Sequence, residues 1–143
     1  LLLSYVDPGD EVLYPWRSFE VYPVYTKLVG GTEVTVPLKD NRFDLPAVAD
    51  AVTAKTKLVI LSNPNNPTGT AQPMAEIAEL LNAVPNDAIV VVDEAYREFM
   101  SPDLGDPVLS DCDIDALAFV FTWALEGSEP RPPAEGPYDC SLD

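Results

Sequence analysis

The residues of this chain that could do chemistry cluster in short runs, two of them placed directly after continuous apolar stretches. In Val90-Val91-Val92-Asp93-Glu94-Ala95-Tyr96 an aspartate closes the apolar run, and a tyrosine stands three residues further on. A carboxylate held at the end of an apolar strand needs hydrogen bonds or a cationic partner to stay ionised. No lysine or arginine stands close before Arg97, so a cation carried by a ligand would serve. The other run is Ser62-Asn63-Pro64-Asn65-Asn66-Pro67-Thr68-Gly69-Thr70, which follows Leu58-Val59-Ile60-Leu61. Asn, Pro and Gly are turn formers, yet two X-Pro bonds and three amides exceed what a plain crossover turn requires. Histidine is absent from the chain, which removes Ser-His-Asp and Cys-His catalysis and every histidine-ligated metal site. Cys112 and Cys140 lie far apart and indicate neither a disulfide framework nor a zinc site.

The elements that must hold these runs can be read from the hydrophobic pattern. Asp7-Pro8-Gly9-Asp10 is a turn, and Glu11 to Tyr14 is a short strand ending at Pro15. Ser18 is placed to cap a helix running to about Leu28 and closed by Gly30-Gly31. Thr32 to Val36 is β-branched and strand-like, stopped by Pro37. Asp44 is placed to cap a helix whose apolar residues Leu45, Val48, Ala49 and Val52 follow helical spacing. Leu58–Leu61 and Ala88–Val92 are continuous apolar strands, separated by a helix from Met74 to Ala83. Strands apolar on both faces are covered on both faces, which predicts an α/β architecture with a mainly parallel sheet and helical crossovers. In such sheets ligands bind beyond the carboxyl ends of the strands, so Asn66 and Asp93 are expected at one common edge.

Composition bounds the function. The chain has 143 residues, 47% of them apolar, with a formal charge of −16. That charge argues against nucleic acid and anionic membrane surfaces as partners, and no apolar run has the length of a membrane span. Residues 1–100 hold 14 acidic and 7 basic side chains, whereas 101–143 hold 10 acidic residues, Arg131 and six of the 15 prolines. A folded part over about 1–100 is therefore expected, with a disordered end from about Gly127. The chain begins at Leu1 with no basic segment before an apolar one, so a signal peptide is not expected. Leu1-Leu2-Leu3 reads as the end of an amphipathic helix.

Together with Tyr14-Pro15-Trp16-Arg17-Ser18-Phe19-Glu20-Val21-Tyr22, the Asn66 and Asp93 runs resemble the pyridoxal-phosphate-dependent aminotransferases of fold type I, class I/II. More narrowly, they are similar to the histidinol-phosphate and aromatic-amino-acid branch. The resemblance implies that residues 1–110 are part of the large, cofactor-binding domain, with 111–143 a non-matching acidic tail. It implies that Asp93 pairs with the pyridinium nitrogen of pyridoxal 5'-phosphate and keeps it protonated, so the ring can accept electrons. It implies that Asn66 and Tyr96 hydrogen-bond the ring's 3-oxygen, and that Phe19 stacks on the ring. Trp16 and Arg17 are candidates for approaching the substrate.

The same resemblance implies a cytoplasmic homodimer acting on amino acids and 2-oxo acids. It also exposes departures. The family's Schiff-base lysine stands about thirty residues after the Asp-Glu-Ala-Tyr run, in a Ser-Lys context, whereas the lysines here are Lys27, Lys39, Lys55 and Lys57. The glycine-rich phosphate turn and the later arginines also have no match. An incomplete copy, truncated at both ends and with a shifted frame near residue 110, is the expectation, and such a chain would be inactive alone. Other readings remain: a fold type I lyase or decarboxylase, which shares Asn66, Asp93 and Tyr96, or a non-catalytic module.

Overall fold

A computed structural model describes residues 1–104 and the backbone of Phe119–Val120. Among the described residues, five strands form one sheet: β1 (Glu11–Trp16), β2 (Thr32–Pro37), β3 (Thr56–Ser62), β4 (Ile89–Asp93) and β5 (Phe119–Val120). Their order is β2-β1-β3-β4-β5, and every pairing is parallel. The helices are α1 (Leu2–Tyr5), α2 (Val21–Leu28), α3 (Leu45–Asp50) and α4 (Met74–Ala83), with short 3₁₀ turns at Arg97–Phe99 and Pro102–Leu104. The parallel α/β architecture expected from the sequence is the one observed. The strand read as Phe119–Val120 lies in a stretch the sequence analysis assigned to the tail. The expected disorder from Gly127 lies outside the described residues.

Alternation along the strands splits the core into two layers. Leu13, Val59, Leu61, Val90 and Val92 face α3 and α4, where Leu45, Val48, Ile77, Leu80 and Leu81 close over them. Val12, Tyr14, Leu58, Ile60 and Val91 face the other way and meet Val6 and Tyr22. A period of two within a wholly apolar run is the signature of a strand covered on both faces. It also decides where polar residues at the strand ends go. Asp93, two positions beyond Val91, falls on the Tyr22 side of the sheet.

Local chemistry explains most element ends. Asp44 accepts a hydrogen bond from the Ala47 amide at 3.2 Å, the expected cap of α3, with Pro46 in the first turn where its missing N–H costs nothing. Gly30 adopts φ +80° after α2, a conformation glycine reaches without strain. Two expectations are corrected. Strand β1 does not end at Pro15 but continues to Trp16: its pairing with β3 runs only to Leu13, so beyond that point β1 is bordered by β2 alone and proline is tolerated. Ser18 does not cap α2, which starts at Val21 with Glu20 at its N-cap; a tertiary acceptor takes the Ser18 hydroxyl instead.

Candidate functional site

Chain order and sheet order diverge between β1 and β3. From β1 the chain moves outward to β2, then returns across β1 to lay down β3 on its other side. Such a reversal opens a crevice at the carboxyl ends of the two flanking strands, the usual ligand position in open α/β sheets. Phe19 follows β1, Asn66 follows β3, and Asp93 ends β4 in register with Ser62, the last residue of β3. The sequence-predicted residues therefore do share one edge.

Three hydrogen bonds and a ring contact build that edge. The Asn66 amide Nδ2 donates to the Tyr96 hydroxyl at 3.3 Å. The Tyr22 hydroxyl donates to Asp93 Oδ2 at 2.6 Å, while Asp93 Oδ1 accepts from the Ala95 amide at 3.1 Å. Phe19 packs edge-on against Tyr22, ring centroids 5.8 Å apart, and keeps 40% of its surface exposed. Tyr96 is 42% exposed. The site thus presents a fixed carboxylate, an amide and phenol side by side, and an open aromatic surface. Arg17 lies over the Trp16 ring at 5.5 Å and pairs with Glu20 at 2.6 Å, at the solvent side of the same loop.

The loop after β3 is built as a rigid unit. Its base is Asn63, fully buried, which exchanges hydrogen bonds with the Gln72 backbone through Oδ1 (2.7 Å) and Nδ2 (3.1 Å). Its tip closes through Gly69 N–H to the Asn65 carbonyl and Asn65 N–H to the Thr70 carbonyl, both 2.8 Å. Gly69 needs φ +67° there, which is why glycine follows the threonine. The Asn63–Pro64, Asn66–Pro67 and Trp16–Arg17 peptide bonds are cis.

Asn65 fastens this loop to the Phe19 segment. Its Oδ1 accepts from the Ser18 hydroxyl at 2.7 Å, and its Nδ2 donates to the Arg17 carbonyl at 3.1 Å and the Thr68 hydroxyl at 2.8 Å. Buried to 2% exposure, it leaves no polar atom unpaired, as a buried amide must to avoid a desolvation penalty. Sequence reasoning singled out neither Asn65 nor Tyr22 for these contacts. The signal for Tyr22 was its spacing, three residues after Phe19 at the start of a helix.

Electrostatics mark two groups. Burial, then the neighbouring Asp93 charge, pushes the Tyr22 phenol far above the usual tyrosine range, so it stays a donor. Burial likewise raises the Glu94 carboxyl, with Arg97 beside it opposing the shift.

The family model for aminotransferase class I and II matches residues 1–121. The chain belongs to this family. Among curated aminotransferases, it is 52% identical over 110 residues to the aromatic amino acid aminotransferase of Streptomyces avermitilis, covering 76% of this chain and 31% of that protein. It is 50% identical over 111 residues to the enzyme of that name from Thermobifida fusca, covering 78% of this chain and 30% of that one. The chain thus spans less than a third of the length of these relatives. Among solved structures, a Sinorhizobium meliloti histidinol-phosphate aminotransferase in complex with pyridoxal-5'-phosphate superposes with a TM-score of 0.68 at 32% identity, over 72% of this chain and 28% of that one. An Escherichia coli protein identified as having a methionine aminotransferase function gives 0.73 at 29% identity, over 83% and 33%.

Proposed function

We propose that this chain is part of the cofactor-binding domain of an aminotransferase that uses pyridoxal 5'-phosphate to move an amino group between an aromatic amino acid and a 2-oxo acid. The observation that carries the reading is the Asp93 carboxylate at the end of β4, held from two sides, with the Asn66–Tyr96 pair beside it. The donor set fits a pyridoxal ring. Asp93 would accept a hydrogen bond from the protonated ring nitrogen and keep the proton on that nitrogen; Asn66 Nδ2 and Tyr96 Oη would donate to the ring oxygen; Phe19 would cover a ring face. When bound, the cofactor supplies an electron sink for the substrate carbon. The names of the curated relatives favour an aromatic substrate over histidinol phosphate. A cytoplasmic homodimer, with the domain division at 110/111, belongs to the same proposal.

The lysines do not serve as a Schiff-base anchor in this reading. Lys55 precedes β3 and Lys57 lies near its start, at the sheet end opposite the site; Lys27 pairs with Glu33 at 2.8 Å; Lys39 lines a crevice beside α3 and α4. These 143 residues are therefore expected to bind cofactor without turning over an amino donor. Pyridoxamine 5'-phosphate, which carries no aldehyde to react with surface lysines, is the clean probe. Calorimetry should give saturable one-to-one binding, weakened about 10-fold or more by Asp93→Asn, the loss expected for a hydrogen bond to a charged group. Binding indifferent to Asp93→Asn, or none, would sink the proposal. So would amino-donor turnover with a borohydride-fixed pyridoxyl label on Lys27, Lys39, Lys55 or Lys57, as far as the missing anchor is concerned.

A further inference from the structure

We propose that Tyr22 is a positioning residue for Asp93, locking its carboxylate by hydrogen bond while its ring carries Phe19, so that the charge and the aromatic surface of the site are set by one side chain. The inference deepens the functional reading above and rests on it where the cofactor is concerned.

A carboxylate at a strand end can rotate about its last torsion unless both oxygens are held. Asp93 Oδ1 has the Ala95 amide, which comes from its own loop; Oδ2 has the Tyr22 hydroxyl, which comes from a helix 71 residues away. The second bond is what ties the rotation of Asp93 to the body of the domain. Tyr22 is itself immobilised. It is 7% exposed, tilted against Tyr14 of β1 at 5.9 Å and edge-on to Phe19 at 5.8 Å, and its backbone amide donates to the Phe19 carbonyl at 3.1 Å. Each aromatic pair of this geometry adds modestly to burial. Deleting the hydroxyl alone leaves those ring contacts in place and frees Oδ2 of the carboxylate.

The hydroxyl faces three polar groups: Asp93 from β4, Ser62 at the end of β3, and the Tyr96 phenol. Burial and the Asp93 charge keep the phenol protonated well above the ordinary range, and Ser62 offsets this in part. Tyr22 is thus a permanent donor across the working pH range, suited to orienting a carboxylate and unsuited to exchanging protons.

The test has two readouts. In the full chain labelled at tyrosine Cζ with carbon-13, and assigned with Tyr22→Phe, the Tyr22 signal should remain that of a protonated phenol where ordinary tyrosines ionise, near pH 10. In Asp93→Asn it should titrate at lower pH. Ionisation of Tyr22 near pH 10, or no response to Asp93→Asn, overturns the proposal. The second readout is pyridoxamine 5'-phosphate affinity. Tyr22→Phe should weaken it about 3- to 10-fold in the wild-type background, the worth of one hydrogen bond, and by less than about twofold in Asp93→Asn. Equal losses in both backgrounds mean a general structural role and overturn the proposal. A wild-type chain that binds no pyridoxamine 5'-phosphate overturns the functional reading, while the phenol titration, which needs no ligand, then decides whether Tyr22 holds Asp93.

Discussion

Glu94 follows Asp93 and meets a different fate: it is 2% exposed, and among the described residues neither of its carboxylate oxygens finds a hydrogen-bond donor. Arg97, 3.6 Å away, supplies charge but its side chain is 44% exposed, so its pull is partly screened. Burial therefore raises the carboxyl in the folded state above its ordinary value of 4.5. The folded chain then binds the Glu94 proton more tightly than the unfolded chain does. This contribution to stability is fully present below pH 4.5 and is lost as pH rises through the higher folded value. Glu94→Gln should thus raise stability at pH 7.5 by about 1–3 kcal/mol and by much less near pH 4, as read by urea unfolding at the two pH values. Residues of this kind also show what a sequence conceals. Asp93 and Asn66 were legible because each follows an apolar run that announces a strand. Tyr22 was not, because its acceptor is 71 residues away. Ser18 was misread for the same reason: capping is a local rule, and Asn65, 47 residues on, outcompeted it.

At the scale of elements, the cap of α3 is the contact most open to direct measurement. Six residues are too few for a helix to persist without its surroundings, so each local contribution counts. Asp44→Ala should lower stability by about 1 kcal/mol, whereas Asp44→Ser should cost a few tenths, measured by denaturant titration. The two-sided core explains why the elements were the most legible part of the molecule. Leu58–Leu61 and Val90–Val92 are so uniformly apolar that only a strand covered by helices could bury them. Strand β5 escaped because Phe119 and Val120, although set in the apolar run from Ala116 to Leu125, were weighed with the acidic, proline-containing composition of 101–143 as a whole. The end of β1 was misplaced because proline's usual meaning fails where a strand has lost one neighbour.

For the molecule as a whole, the reversal of strand order between β1 and β3 has a consequence for how the site comes and goes. Its long-range contacts join residues 30, 47 and 71 positions apart, and the Ala95 amide bond and the Phe19–Tyr22 contacts are the local ones beside them. A site assembled this way has no nucleus of its own. Loop-closure entropy must be met by sheet pairing before any of these bonds can form, so the site behaves as a readout of the sheet rather than as an independent cooperative unit. Trp16, at the junction of β1 and the Phe19 loop and 6.2 Å from the Tyr14 ring, is placed to report this. In a Trp123→Phe background, its fluorescence and the far-ultraviolet circular dichroism should change at the same urea midpoint. A Trp16 transition at distinctly lower urea would mean that the loops open while the sheet persists. Should the midpoints coincide, any variant that weakens the sheet, however distant, would deplete the competent site in direct proportion to the unfolded population.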